Sequence, residues 1–405
     1  MQEFLLVWNK EVFGLVERNK RILLARLRGI QNSPNYPHSA YLRGLEKYLQ
    51  SELDQILMRE EIKWFQKAHS EWVTSGDRNT WYYHLKTSIR RRRNSIKMIK
   101  DEFGVWIEDE GRIKEMVVNY FQRLYQEEDN NLGAIVTKNS FPVLEEGLLS
   151  NLCNSPLVEE VKRALFSMGP YKASGIDGFS PVFYQCQWNV VGPSLCRLVK
   201  DVFEGKQKLE EHNRTLISLI PKRDTPENVG HFRSISLCTV HYKCITKVIT
   251  GRLRGLMDSI ISPCQSSFIR GRQIHDNIIV GQEVMHTMKQ ARGRRGFMAM
   301  KIDLEKAYDK IHWSFVKNVL TEAGMESNFI RLILECISFV SFNVLWNGSQ
   351  TNFFPAKRGL RQGDPISPLL FVLCMDKLSH IISDEADLGH WKPISLSKDG
   401  PQISI

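Results

Sequence analysis

Cysteine is sparse and unpaired in this sequence: eight residues among 405 stand singly, with no C-x-x-C spacing. That excludes a disulfide-dense secreted scaffold and a thiolate zinc ribbon, and it fits reduced, buried thiols in an intracellular protein. No stretch approaches the ~18–20 apolar residues of a membrane span, and the N-terminus lacks the ordered regions of a signal peptide. No membrane partner is therefore expected. Neither a repeat of roughly 20–50 residues nor a low-complexity tract is visible. One further absence concerns chemistry: no Asp-Asp dipeptide occurs anywhere in the chain.

What is present is ordinary in bulk and uneven in charge. A 47.0 kDa chain with 42% apolar and 25% charged residues has material for two or three folding units. The formal net charge of +10 is concentrated. From Trp81 to Lys100 seven Lys/Arg meet no acid, and from Asp101 to Asn130 nine acids meet three bases. From Arg214 to Met300 fourteen bases meet five acids. Clustered positive charge is the footprint of a polyanion, because each neutralised phosphate releases condensed counterions. A solvated basic face or an anionic lipid surface is the plainer alternative.

Residues 1 to about 130 read as mostly helical. Leu5, Val12, Leu15, Val16, Leu23, Leu24 and Leu27 recur at helical spacing, Asn32 to Pro37 breaks it, and a second stripe runs from Ser39 toward Phe65. Because the chain starts almost inside such a stripe, upstream sequence is expected. Trp81-Tyr82-Tyr83-His84 leads into Arg90-Arg91-Arg92-Arg93, where aromatics could stack bases and Arg grip phosphate; a helix surface or nuclear-import signal is the alternative. Glu127 to Asn131 looks like a linker. Ser155-Pro156 is expected to cap and open a helix ending at Gly169, and Gly175 to Gly178 a tight loop. Leu216 to Ile220 reads as a strand and Tyr242 to Leu256 as a helix. Asn347-Gly348 should turn a hairpin between Asn343–Trp346 and Thr351–Phe354. A helix is expected from Ser367-Pro368 to about Ser383, and Gly389 to Ile405 looks like the start of another hairpin.

The chemistry-bearing stretch is Met300 to Asp309. Phe297 to Ile302 is an apolar run predicted to form a strand whose end holds Asp303 beside the Leu304 carbonyl. That is the local pattern of a polymerase palm strand delivering a metal-binding carboxylate, since phosphoryl transfer needs charge neutralisation and positioning. A lone strand-end Asp is more often unspecialised, and Glu305 and Asp309 read equally as solvated turn residues.

Five ordered motifs narrow this. Leu219-Ile220-Pro221-Lys222, Phe232 to Leu237, Ser267-Phe268-Ile269-Arg270-Gly271-Arg272-Gln273, Ile302 to Asp309, and Arg358-Gly359-Leu360-Arg361-Gln362-Gly363-Asp364-Pro365-Ile366-Ser367-Pro368 resemble the reverse-transcriptase motifs of non-LTR (LINE-type) retrotransposons, the plant lineages above all. Gly76 to Thr80 and the Arg run are similar to the segment joining endonuclease to polymerase there. The resemblance covers about residues 60 to 405. It implies RNA-directed DNA synthesis with Mg²⁺ on a nicked chromosomal target, with an RNA template, a DNA primer and deoxynucleoside triphosphates as partners. The nucleus is among the compartments that fit.

By the same resemblance Asp303 and Leu304 hold metal, with Asp303 the catalytic carboxylate. Lys222 and Arg233 hold the triphosphate, and Tyr308 is the steric gate against a ribose 2′-hydroxyl. Gln362 and Gly363 line the nucleotide pocket, while Arg270, Arg272 and Arg90 to Arg93 touch nucleic acid. Singly, Lys222 and Arg233 could be surface charges, Tyr308 a core aromatic and Gly363 a turn. The family has Pro where Ser174 and Ser234 stand. Its aromatic-Ala-Asp-Asp hairpin would fall just beyond Ile405, so the expected fold is an α+β right-hand polymerase cut short. Its parts would be a helical, basic N-terminal linker segment at 1–135, fingers and part of the palm at 136–295, and an incomplete palm at 296–405 with the thumb absent. Such a chain is expected to be inactive as it stands; a non-catalytic RNA-binding remnant of a decayed element is the alternative.

Overall fold

The structure is a computed structural model that describes residues 16–68, 80–126, 137–138, 140–144, 146–291, 296–390, 392–395 and 402–403, with Phe4, Val7 and Glu11 besides. Its contacts divide the chain into two compact units, Met1–Ser95 and Ile96–Ile405. Among the described residues no helix is long and apolar enough to cross a membrane.

The first unit is helical. α1 (Val16–Gln31) and α2 (Ala40–Ala68) form a hairpin around the short turn Tyr36–His38, as the Pro-broken stripe implies. Leu23, Leu27 and Ile30 are buried with Leu49, and Lys20 reaches Glu60 at 2.7 Å. α3 (Thr80–Asn94) carries the aromatic and Arg-rich run. Its Tyr83 is buried edge-on to Phe65 (5.8 Å) and His84 lies edge-on to Trp64 (4.5 Å), while Trp81 and Arg90 to Arg93 stay exposed or half-exposed. The Gly76 to Asn79 stretch and the Glu127 to Asn131 linker lie outside the described residues.

The second unit mixes helices with one main sheet. After β1 (Ile99–Lys100) and β2 (Trp106–Ile107) comes α4 (Glu110–Tyr125), capped by Asp109, whose carboxylate accepts from Arg112 N at 2.8 Å. Helices α5 (Glu146–Ser150), α6 (Val158–Phe166), α7 (Pro181–Cys186) and α8 (Trp188–Phe203) follow. β3 (Arg214–Pro221) and β4 (Phe232–Leu237) make an antiparallel pair that leads into α9 (Val240–Ile260) and α10 (Ile274–Gln290). Then come α11 (Ala307–Lys310), α12 (Trp313–Glu322) and α13 (Ser327–Ile337), strands β5 (Ser341–Trp346), β6 (Ser349–Gln350) and β7 (Phe354–Pro355), α14 (Ser367–Asp387), and the pair β8 (Ile394–Ser395) with β9 (Gln402–Ile403).

The sheet runs β4-β3-β5-β6, with β7 also on β5 and the β3–β5 pair parallel. Alternation decides its faces. Ile217 and Leu219 from β3, with Phe342, Val344 and Trp346 from β5, meet Ile113, Val117, Phe121 and Leu124, the inward stripe of α4. That packing ties α4 to the sheet, so the helical N-terminal segment expected to reach about residue 135 ends as a compact unit at Ser95. A larger core gathers α6, α8, α9, α12, α13 and α14, with α9 buried along most of its length.

Most local readings hold, with shifted ends. The 343–354 hairpin turns through Asn347 and Gly348, both at positive φ (46° and 95°), but its return strand breaks between Gln350 and Phe354. The helix expected from Ser155-Pro156 starts at Val158 instead, and the Ser155 hydroxyl bonds Glu204 rather than capping it. The main correction concerns Phe297 to Ile302. These residues form no strand, because none of the described residues offers them a hydrogen-bonding ladder. Phe297, Met298 and Met300 line an apolar groove of about 1020 Å³ with one side of α10.

Candidate active site

Three segments meet near the loop end of the β3–β4 hairpin. The hairpin closes where Lys222 N donates to the His231 carbonyl (2.9 Å), leaving the Lys222 and Arg233 side chains exposed. Arg233 stands opposite Ile220 and makes no ion pair among the described residues. Next to this end lies the turn from Asp303 to Lys310. Lys306 there is left-handed (φ 54°), a cost a non-glycine residue bears only when its surroundings enforce it. Its Nζ sits 4.8 Å over the Tyr120 ring.

The third segment, Arg358 to Asp364, is laced to both. Leu360 N donates to the Tyr308 carbonyl (2.7 Å), Gly359 N to Ile311 O (2.8 Å), and Trp313 Nε1 to Gly359 O (2.9 Å). Ser236 N on β4 donates to Gln362 O at 2.8 Å. Glycine is required at two points: Gly359 at φ 97° lies where a Cβ would stand 2.8 Å from Asp309 O, and Gly363 at φ 115° where one would stand 2.9 Å from Ser236 O.

The centre of this junction is Asp309, which the sequence left as a solvated turn residue. Tyr125 donates to Asp309 Oδ1 (3.0 Å), and the Ser234 hydroxyl opposes the rise of the Tyr125 pKa. Burial pushes the Asp309 carboxyl above its usual range, while the Tyr125 bond and the Lys306 and Lys222 charges pull the other way. The Tyr125 hydroxyl is raised by burial and then by Asp309. Helix α4 therefore supplies a site partner that no local pattern announces.

Asp303 itself is exposed, as are Leu304 and Glu305. Among the described residues no group of three or more metal-ligating side chains is assembled. The donor set is one free carboxylate with a neighbouring carbonyl. Mg²⁺ commonly takes one or two protein carboxylates and completes its shell with water and substrate phosphate, so the residues present fit part of such a shell. Tyr308 stacks on Phe371 (centroids 4.5 Å apart, 13° between planes) and packs half-buried on the main core. Gln362 and Gly363, in the third segment, are exposed.

The arginines divide. Arg270 is exposed. Arg272 is engaged within the chain: its guanidinium donates to Ser262 O (2.5 Å), Gln265 O (2.8 Å) and Ile261 O (3.0 Å), satisfying carbonyls at the end of α9. Arg358, part of the same motif as Gln362, is buried and donates to Leu124 O at 3.0 Å. A groove of about 800 Å³ between α6 and α9 opens beside Gly363 and Pro365 and carries Arg163, Lys247 and Arg254. Burial, with Arg254 among the nearby charges, pushes the Lys247 ammonium below its usual range. The only sequence signal for Lys247 and Arg254 was the basic excess from Arg214 to Met300, and Arg163 lies outside it.

Residues 220–394 match the reverse transcriptase (RNA-dependent DNA polymerase) family. The chain is 25% identical over 313 residues to a 149 kDa protein of transposon TX1 from Xenopus laevis, covering 77% of this chain and 24% of that one. It is 26% identical over 175 residues to the Pol polyprotein of a type-1 retrotransposable element R2 from Popillia japonica, covering 42% and 24%. Over 58 residues it is 40% identical to an uncharacterized mitochondrial protein of Arabidopsis thaliana, covering 14% and 48%. The chain spans 24% of the length of each of the first two relatives. Residues 220–394 thus resemble the reverse transcriptase (RNA-dependent DNA polymerase) family, and proteins similar to the chain are named for a transposon and a retrotransposable element.

Proposed function

We propose that this chain supplies the nucleotide-binding side and the first metal carboxylate of an RNA-directed DNA polymerase with right-hand architecture. The observation that carries the reading is the junction itself: β4 and the Asp303–Lys310 turn are both bonded to the Arg358–Asp364 segment, and these elements carry exposed Lys222, Arg233 and Asp303. Lys222 as a point charge and Arg233 as a fork would hold the triphosphate. Tyr308, its ring fixed against Phe371, would abut the sugar and exclude a 2′-oxygen by contact. Gln362 and the Gly363 backbone would line the base and sugar.

Asp303 and the Leu304 carbonyl would hold Mg²⁺, which when bound neutralises phosphate charge in a two-metal arrangement. One carboxylate balances little of that charge, so synthesis needs a second acidic source beyond Asp303. For the RNA template and DNA primer, Arg270, the Arg163–Lys247–Arg254 groove and Arg90 to Arg93 provide phosphate contacts. Arg272 would support them indirectly by holding the loop that carries Arg270. The likeness to the Arabidopsis protein supports a plant element as the source.

The test is RNA binding across a salt series, paired with template-directed incorporation. Affinity for RNA should fall steeply with salt, and Arg90–Arg93→Ala should flatten the slope, with about one unit of slope lost per phosphate contact. Salt-insensitive binding would refute the basic surfaces as phosphate sites. RNA binding without incorporation, even when the second carboxylate source is restored, would favour the non-catalytic RNA-binding reading.

A further inference from the structure

The arginine of the Arg361-Gln362-Gly363-Asp364 sequence looks, by its company, like another triphosphate ligand. Its surroundings exclude that. Arg361 and Asp364 are both buried and pair at 2.9 Å. The same guanidinium donates to Thr215 Oγ1 (3.0 Å), Cys336 O (2.8 Å), Asn213 Oδ1 and the Tyr242 hydroxyl, and it lies 4.3 Å over the Tyr242 ring. Tyr242 Oη stands 2.9 Å from both Cys336 O and Asp364 Oδ2. One guanidinium thus joins the start of β3, the first turn of α9, the end of α13 and its own loop.

The backbone above this pair is a β-turn. Asp364 N donates to Arg361 O (3.3 Å), and Gly363, the third residue, takes positive φ (115°) as such a turn demands. The two central residues, Gln362 and Gly363, are exposed; the two closing residues are clamped beneath them. A third restraint pins the turn sideways through Ser236 N to Gln362 O. Asp364 also receives Ile366 N (3.4 Å), so the clamp continues into α14.

We propose that Arg361 and Asp364, with Tyr242, are positioning residues: a buried clasp that fixes the Gln362–Gly363 turn in the orientation that receives the incoming nucleoside triphosphate. The inference rests on the nucleotide-binding reading given above. Charged, buried and bonded to four further groups, the clasp sets the turn's geometry from below, and a loosened turn would cost nucleotide affinity while leaving Arg270 and Arg90 to Arg93 untouched.

The experiment compares Arg361→Met, Arg361→Lys and, as a matched control, the core variant Ile333→Ala in the full chain. Three readouts are taken: thermal midpoint, affinity for a Mg²⁺–deoxynucleoside triphosphate with RNA template and primer present, and amide exchange at Ser236. The clasp requires Arg361→Met to weaken nucleotide binding on the order of 10-fold or more and to speed Ser236 exchange, with the steep salt dependence of RNA binding retained. Arg361→Lys should recover part of each, and Ile333→Ala should move only the midpoint. Equal nucleotide loss in Arg361→Met and Ile333→Ala, or none in either, overturns the proposal. If Arg361→Met does not fold, Arg361→Lys against Ile333→Ala decides by the same readouts. A wild-type chain that binds RNA but no nucleotide overturns the functional reading instead, and Ser236 exchange still decides whether the clasp holds the turn.

Discussion

Gly359→Ala should destabilise the second unit by about 2–5 kcal/mol. Two costs add. An L side chain at φ 97° is held in a region only glycine visits freely, on the order of 1–2 kcal/mol. The new Cβ would also stand 2.8 Å from the Asp309 carbonyl and 3.2 Å from two Tyr125 ring carbons. Neither can yield, since the first is backbone and Tyr125 is buried with its hydroxyl bonded to Asp309, so overpacking contributes roughly 1–3 kcal/mol. The sum lowers the thermal midpoint by about 4–10 °C for a unit of this size. Gly255→Ala is the internal control. Gly255 lies inside α9 with nothing within 4 Å of the position its Cβ would take, so alanine there should raise stability by roughly 0.5–1 kcal/mol. Differential scanning calorimetry of both variants gives the comparison. A Gly359→Ala midpoint within about 1 °C of wild type would refute the described junction between Gly359 and Asp309.

Further outcomes follow from the buried polar groups. Tyr125→Phe strips Asp309 Oδ1 of its donor and should cost about 1–3 kcal/mol in chemical denaturation, less when combined with Asp309→Asn. Because burial raises the Asp309 pKa, the folded chain binds that proton more tightly than the unfolded one; the group's stability is full below the unfolded carboxylate pKa and lost as pH rises through the folded value. Midpoints of wild type should therefore fall relative to Asp309→Asn as pH rises across the acid range, and parallel curves would contradict this. His241 runs the opposite way: burial, then His212, pushes it down to about 4, and Asp177 at 3.8 Å, itself raised by burial, does not reverse this. Its stability is present above the ordinary imidazole pKa and lost as pH falls toward the folded value, up to about 3 kcal/mol, so His241→Gln should blunt acid unfolding in that window.

Periodicity and turn chemistry made much of the fold legible. The α1–α2 hairpin, β3, α9, the Asn347-Gly348 turn and α14 each follow from a local stripe or dipeptide that tertiary packing did not overrule. The ends moved where capping was misjudged, as at Val158, because Ser155 found Glu204 instead. Phe297 to Ile302 shows the limit of reading strands locally: β character needs a partner ladder, and the apolar run alone cannot report one. The site was legible as motifs and not as roles. Lys222 and Arg233 are exposed, whereas Arg272, Arg358 and Arg361 carry the same charge and are spent inside the chain. Nothing in residue type separates those two groups. Tyr125, which holds Asp309 across a long sequence separation, had no signal at all.

The central claim is that Asp303 delivers metal to a nucleotide held at the β3–β4 hairpin end. Primer extension on an RNA template tests it, using the chain joined to an Asp-Asp hairpin and thumb from a related element, with and without Asp303→Asn. The account predicts Mg²⁺-dependent, RNA-templated deoxynucleotide incorporation by wild type, a loss of about 10²-fold or more in Asp303→Asn, and unchanged RNA affinity. Equal incorporation by the two chains, or none by wild type while RNA still binds, would contradict it.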